Sequence, residues 1–180
     1  MSKLSGIRVV DLSLFLPGPM MTSMLADHGA EIIKIEPPGG DPARQMEPFE
    51  EGQSVWFRNI NRGKQSVVLD LKQKDNLQKL YRLVEESDIF VEAFRPGVAN
   101  RLKIDYETLS AINPKIIYCS ISAFGQDGPL AHHPAHDLAV EAFAGFMSVN
   151  DKGDLILDFG QEGTLIFLNV VTGSSADFMI

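Results

Sequence analysis

Two hydrophobic periods alternate along this chain. Residues 7–12 form a short β-branched run, Pro17-Gly18-Pro19 breaks it, and Met20, Met21, Met24 and Leu25 then recur at helical spacing until Gly29. Ile32, Ile33 and Ile35 supply a second strand. Two parallel strands joined by one helix make a βαβ unit, which implies a sheet covered on both faces and a ligand at the strands' carboxyl ends. A dinucleotide-binding turn would carry G-x-G-x-x-G between strand and helix; here the turn reads LFLPGP.

The same alternation continues downstream. Residues 37–53, PPGGDPARQMEPFEEGQ, are polar and rich in Pro and Gly and read as a loop, of a length that in compact domains tends to be functional or mobile. Residues 67–71 predict a strand, Leu77, Leu80, Leu83 and Val84 one face of a helix, and 89–91 a further strand. Residues 106–112 predict a helix ended by Asn113-Pro114, and the apolar run 116–121 has the character of a strand buried in a parallel sheet. Residues 137–146 suit another helix. Alternating strands and helices define an α/β chain, and no internal repeat or low-complexity tract interrupts it.

Composition narrows the function classes. At 180 residues the chain is long enough to bury a substantial core without disulfides or metals. A formal net charge of −8 argues against broad phosphate-backbone binding, which excludes a nucleic-acid partner but leaves room for a local basic patch. Cys119, the single cysteine, lies in the apolar run IIYCSI and reads as a buried small side chain. No segment reaches the apolar length of a membrane span, and MSKLSGIRVV lacks the apolar stretch of a signal peptide, so a cytoplasmic setting without a membrane partner is expected. The adjacent His132 and His133 have no cysteine or carboxylate at ligand spacing, so no metal is expected.

Five blocks in one order carry a resemblance: 5–36, then NRGKQSVVLDLK at 61–72, FVEAFRPGVANRL at 90–102, NPKIIYCSISAFGQDGP at 113–129 and AHDLAVEAFAG at 135–145. Together they resemble the amino-terminal part of the family III CoA-transferases, which include formyl-CoA and carnitine CoA-transferases and the α-methylacyl-CoA racemases. The resemblance implies a Rossmann-like parallel sheet with flanking helices. Residues 1–149 would form the CoA-binding region, and 150–180 a divergent or truncated carboxyl-terminal segment. Family members run roughly twice this length, on the usual scale of domain sizes. The resemblance also implies acyl-CoA and a carboxylic acid as substrates, coenzyme A as a substrate rather than a permanently bound cofactor, and an interlocked homodimer for the full-length form.

The resemblance extends to individual residues. Leu69 and Lys72 match positions near the adenosine of CoA, Phe94 an adenine-facing aromatic, and Arg101 a phosphate-binding arginine; Arg95 is a further local cation. Where some transferases carry an arginine after the second strand, this chain has Pro37. The family's nucleophilic aspartate, which forms an anhydride and then an aspartyl-CoA thioester, is best matched by Asp158 in LILDFGQEG, with Asp177 as its rival. Racemases of the family instead use the His of an HD pair with a distant Asp, which makes His136 a candidate base. Asp137 is the second member of that pair; it also suits ordinary helix capping. Three functions stay open on the sequence: CoA transfer, racemisation of a 2-methylacyl-CoA, and a non-catalytic or incomplete CoA-binding module.

Overall fold

Short β-branched runs and amphipathic helices alternate because each strand needs apolar cover on both faces. The computed structural model describes residues 2–133, residues 135, 140 and 144, and strand segments at 148–149, 155–158 and 164–167. The chain divides into two compact units, Met1–His132 and His133–Ile180.

In the first unit, β1 (Arg8–Asp11), α1 (Pro17–Asp27) and β2 (Glu31–Glu36) form the expected βαβ unit. β5 (Gln65–Val68), α3 (Lys74–Glu85), β6 (Ile89–Glu92), α5 (Tyr106–Ile112) and β7 (Ile117–Ser120) follow. These five strands pair in parallel in the order β5-β2-β1-β6-β7. The chain thus builds outward from β1 in one direction and then returns to build from β1 in the other.

Period-two alternation assigns each side chain to a face. Val9, Ile32 and Val91 form one apolar cluster with Met21, Leu25 and Ala26 of α1. Val10, Ile33, Ile35 and Phe90 form the other, with Leu80 and Val84 of α3 and Leu109 of α5. Leu80 and Val84 lie one helical turn apart and are both fully buried, so truncating Leu80 to Ala would cost about 2–5 kcal/mol. Phe90 stacks on Tyr118 across β6 and β7, with ring centroids 5.3 Å apart.

The helix ends follow local chemistry. Asp105 caps α5, accepting the Thr108 N–H at 3.0 Å and the Thr108 hydroxyl at 2.9 Å. At the far end of α5, Asn113 donates its amide to the carbonyls of Val84 and Ser87 at 2.9 and 2.8 Å, tying α5 to the end of α3.

The structure departs from the sequence reading in several places. The polar stretch 37–53 is built rather than irregular: a 3-10 turn at Pro42–Gln45 is followed by a two-residue hairpin of β3 (Phe49–Glu50) and β4 (Gln53–Ser54), and then by α2 (Val55–Ile60). The strand expected at 67–71 runs instead from Gln65 to Val68. Leu69 then packs into the core from outside the strand, and Asp70 turns the chain by accepting the Lys72 N–H at 3.1 Å. A five-residue helix, α4 (Val98–Leu102), follows β6 and has no counterpart in the sequence reading.

In the second unit β8 (Ser148–Val149), β9 (Leu155–Asp158) and β10 (Thr164–Phe167) form an antiparallel sheet in the order β10-β9-β8. The helix expected over 137–146 lies mostly outside the described residues; within it, the Ala144 N–H donates to the Val140 carbonyl at 2.9 Å.

Candidate functional site at the strand ends

The strand order reverses between β1 and β6, and in open α/β sheets such a reversal opens a crevice outside the strands' carboxyl ends. Two connections leave the sheet there: residues 12–16 after β1 and 93–97 after β6.

The first connection leads into a helix start with few backbone donors. Of the first three residues of α1, Pro17 and Pro19 have no N–H, so Gly18 alone offers one. A Cβ built on Gly18 would collide with the Cβ and Oγ of Ser13, so the close approach of helix to turn requires glycine at this position. A dinucleotide fingerprint grips pyrophosphate with backbone N–H groups at a helix start; this turn has given most of them up.

A network of buried charges lies on the α1 face, where period-two alternation carries Asp11 and Ser13 on from Val9, and Lys34 and Glu36 on from Ile32. Asp11, Lys34, Glu36 and Asp41 are each no more than 1% exposed. Such charges persist only when paired and hydrogen-bonded. Lys64 lies 3.2 Å from Asp11 and also donates to the Pro19 carbonyl, the Thr22 hydroxyl and the Asn61 side-chain oxygen. Lys34 lies 2.9 Å from Asp41 and donates to the Ser13 carbonyl at 2.8 Å. Glu36 accepts two hydrogen bonds from Arg44, at 2.7 and 2.6 Å, one from Ser66 at 2.5 Å and one from the Asp41 N–H at 2.8 Å. The network therefore ties the turns after β1 and β2 to the segment that enters β5.

These environments shift proton affinities. Burial pushes the Lys64 ammonium down to about 8, against the pull of Asp11. Burial opposes ionisation of Glu36, but its hydrogen bonds from Arg44, Ser66 and the Asp41 backbone prevail and hold its carboxyl at about 2. On the other face, burial and then the nearby carboxylates of Glu92 and Asp105 push the Tyr118 phenol well above its ordinary range. Burial, and then Glu92, likewise raises the Cys119 thiol.

The second connection carries cations. The Phe94 N–H donates to the Glu92 carboxylate at 2.7 Å, and the chain turns through Gly97 at φ 83° into α4. Arg95, Pro96, Gly97, Val98, Arg101 and His132 line a cavity of about 310 Å³. Both arginines are exposed. Neither guanidinium forms an ion pair or hydrogen bond among the described residues, in contrast to those of Arg8, Arg44, Arg58 and Arg62, each of which meets a carboxylate.

The sequence-derived candidates fall in different places. Arg101 and Arg95 line one cavity, joined by His132. Phe94 is half-buried against the core. Lys72 is exposed, and Leu69 is a core residue at 5% exposure. Asp158 closes β9 opposite Thr164, with its side chain outside the described residues; His136, Asp137 and Asp177 also lie outside them. Sequence reasoning missed the ionic network, although Lys34 and Glu36 inside a strand covered on both faces were a signal that partners were needed.

Comparison with known proteins gives a consistent result. The family model for CoA-transferase family III matches residues 4–160. The chain is 49% identical over 143 residues to acetyl-CoA:oxalate CoA-transferase of Acetobacter aceti, covering 79% of this chain and 37% of that protein. It is 42% identical over 159 residues to succinate–glutarate CoA-transferase of Agrobacterium fabrum, covering 84% and 40% respectively. The crystal structure of the Mycobacterium tuberculosis protein Rv3272 superposes with a TM-score of 0.81 at 37% identity, covering 89% of this chain and 46% of that one. The chain thus spans less than half the length of these relatives. With the family model matching most of the chain and the relatives and solved structure in agreement, the chain belongs to CoA-transferase family III.

Proposed function

We propose that this chain is the coenzyme A-binding portion of an enzyme that moves CoA between an acyl-CoA thioester and a carboxylic acid. The observation that carries this reading is the pair of guanidiniums, Arg95 and Arg101, which converge with His132 on one cavity after β6 and have no carboxylate partner among the described residues. Coenzyme A presents several phosphate charges, which guanidiniums hold through charge-assisted hydrogen bonds. Phe94, one residue before Arg95, supplies an aromatic surface for adenine. Two relatives are named for oxalate and glutarate, which supports a carboxylic acid as the second substrate. For the full-length form the reading includes a cytoplasmic setting and an interlocked homodimer.

In this reading the Asp158 carboxylate attacks the thioester carbonyl and the C–S bond breaks, giving a mixed anhydride and CoA thiolate. The thiolate attacks the aspartyl carbonyl, releasing the first acid and leaving an aspartyl-CoA thioester. The second acid's carboxylate attacks that thioester, and the freed thiolate then takes the new acyl group from the anhydride. Asp158 returns as a carboxylate, with no net gain or loss of protons or electrons.

The test is incubation with an acyl-CoA and a carboxylic acid in deuterated buffer, followed by mass spectrometry of the CoA esters and the protein. Exchange of CoA between the acids, with a hydroxylamine-sensitive adduct absent from Asp158→Asn, is the expected result. Deuterium at the α-carbon without exchange would replace transfer with epimerisation through His136. Retained CoA binding with neither reaction would reduce the chain to a binding module.

A further inference from the structure

We propose that a second cavity, built in the connection between β2 and β5, takes the free carboxylate of a dicarboxylic substrate; this rests on the CoA-transfer reading for the acid's fate, though not for its binding. The cavity, of about 510 Å³, is lined by Arg44, Arg58, Arg62, Gln53, Asn61 and Phe57 among others. Three guanidiniums around one concavity stand out on a chain of net charge −8.

Two of the three can engage a ligand. Arg44 is fixed in place: its Nε and Nη2 are bound by the buried Glu36 carboxylate, and its guanidinium lies 3.9 Å over the Phe57 ring. Its Nη1 donates to nothing among the described residues, so a pre-oriented donor edge remains. Arg58 pairs with Glu50 at 3.0 Å, with side chains 44% and 67% exposed. A pair so solvated is readily exchanged for an incoming carboxylate. Each nitrogen of Arg62 already has a partner, in Asp27 or the Asn59 carbonyl, so this side chain contributes mainly charge.

The surroundings favour a carboxylate over the phosphates of CoA. The neutral amide of Gln53 and the aromatic Phe57 suit a planar anion with a short apolar spacer, while the Asn61 amide is held by Lys64 and the Phe57 carbonyl. The phosphates have the separate cavity of Arg95 and Arg101, which shares no lining residue with this one.

Trp56, the single tryptophan, precedes Phe57 and Arg58 in α2 and gives a direct optical readout. The full chain is titrated with glutarate, with butyrate and with 3′,5′-ADP, following Trp56 fluorescence and, independently, calorimetry. Saturable glutarate binding at least tenfold tighter than butyrate binding, weakened about tenfold in Arg58→Gln and unchanged in Arg101→Gln, is expected. Because Arg58 is exposed and weakly paired, Arg58→Gln should keep the thermal transition of the parent, and Arg62→Gln provides a second variant with a smaller loss. Equal responses to glutarate and butyrate, an unchanged glutarate affinity in Arg58→Gln, or displacement of glutarate by 3′,5′-ADP would overturn the assignment. Failure of 3′,5′-ADP to bind while glutarate does would instead count against the CoA reading and leave the carboxylate site standing.

Discussion

Asp11 and Lys34 face each other as Cα partners across β1 and β2, yet each forms its ion pair elsewhere: Asp11 with Lys64 at 3.2 Å, and Lys34 with Asp41 at 2.9 Å. Two oppositely charged neighbours on one sheet face are thus used to fasten two different segments. Removing one partner leaves a buried charge uncompensated, so Lys64→Met should lower stability by about 3–5 kcal/mol. The double variant Asp11→Asn, Lys64→Met should recover part of that loss. Urea denaturation of the three proteins checks both statements, and an equal loss in single and double variants would refute the pairing argument.

The same lysine predicts an unusual pH response. Its folded-state value of about 8 lies below the ordinary 10.5, so between those limits the unfolded chain binds the extra proton. Stability then rises with pH through this window, the cost of burying the ammonium being fully present below about pH 8. Parent and Lys64→Met compared at pH 7.5 and 9.5 should show a gain in the parent that the variant lacks.

Glu36 predicts the opposite limb. Its carboxyl is held at about 2 rather than 4.5, so its contribution is complete above the unfolded value and disappears as pH falls toward 2. The Arg44 side chain is 41% exposed, which trims the contribution to about 2 kcal/mol. Acid unfolding of Glu36→Gln should therefore be shallower between pH 4.5 and 2 than that of the parent.

Gly18→Ala should lower stability by about 1–3 kcal/mol, because the new methyl group meets the Ser13 side chain. Replacing Ser13 with Gly in the same chain removes the obstructing Cβ and should restore part of the loss. Thermal unfolding of the single and double variants gives the answer.

For the cavity after β6, Arg95→Gln and Arg101→Gln should each weaken 3′,5′-ADP binding about tenfold and reduce its salt dependence, with little effect on folding because both side chains are exposed. Calorimetric titration at two salt concentrations separates this from a purely structural effect, which would leave the salt dependence unchanged.

The β-branched runs and the helical spacing of Leu80 and Val84 made the sheet and its main helices legible, since burial of the central strands β1, β2 and β6 imposes those patterns directly, while the edge strands β5 and β7 are more exposed. The stretch 37–53 was not legible. Its Asp41 and Arg44 look like loop polars, and only the fold reveals that they neutralise Lys34 and Glu36. α4 was missed because five residues give too little periodicity to register. Arg95 and Arg101 stand out in the sequence because their local block is distinctive, and the fold places both on one cavity, whereas Leu69 lies in the core. The meeting of Arg44, Arg58 and Arg62 joins residues separated by a turn, a hairpin and a helix, which no local pattern encodes.

The two prolines at the start of α1 have a consequence for how such a protein can diversify. A backbone amide survives every substitution except proline, so a fold that grips anions with its main chain inherits that grip unchanged. Here the first turn of the helix has largely surrendered its donors, and the exposed guanidiniums of Arg95 and Arg101 lie on another connection. Each of those can be gained, lost or exchanged by a single codon change, so descendants of one scaffold can tune their hold on a ligand in small independent steps.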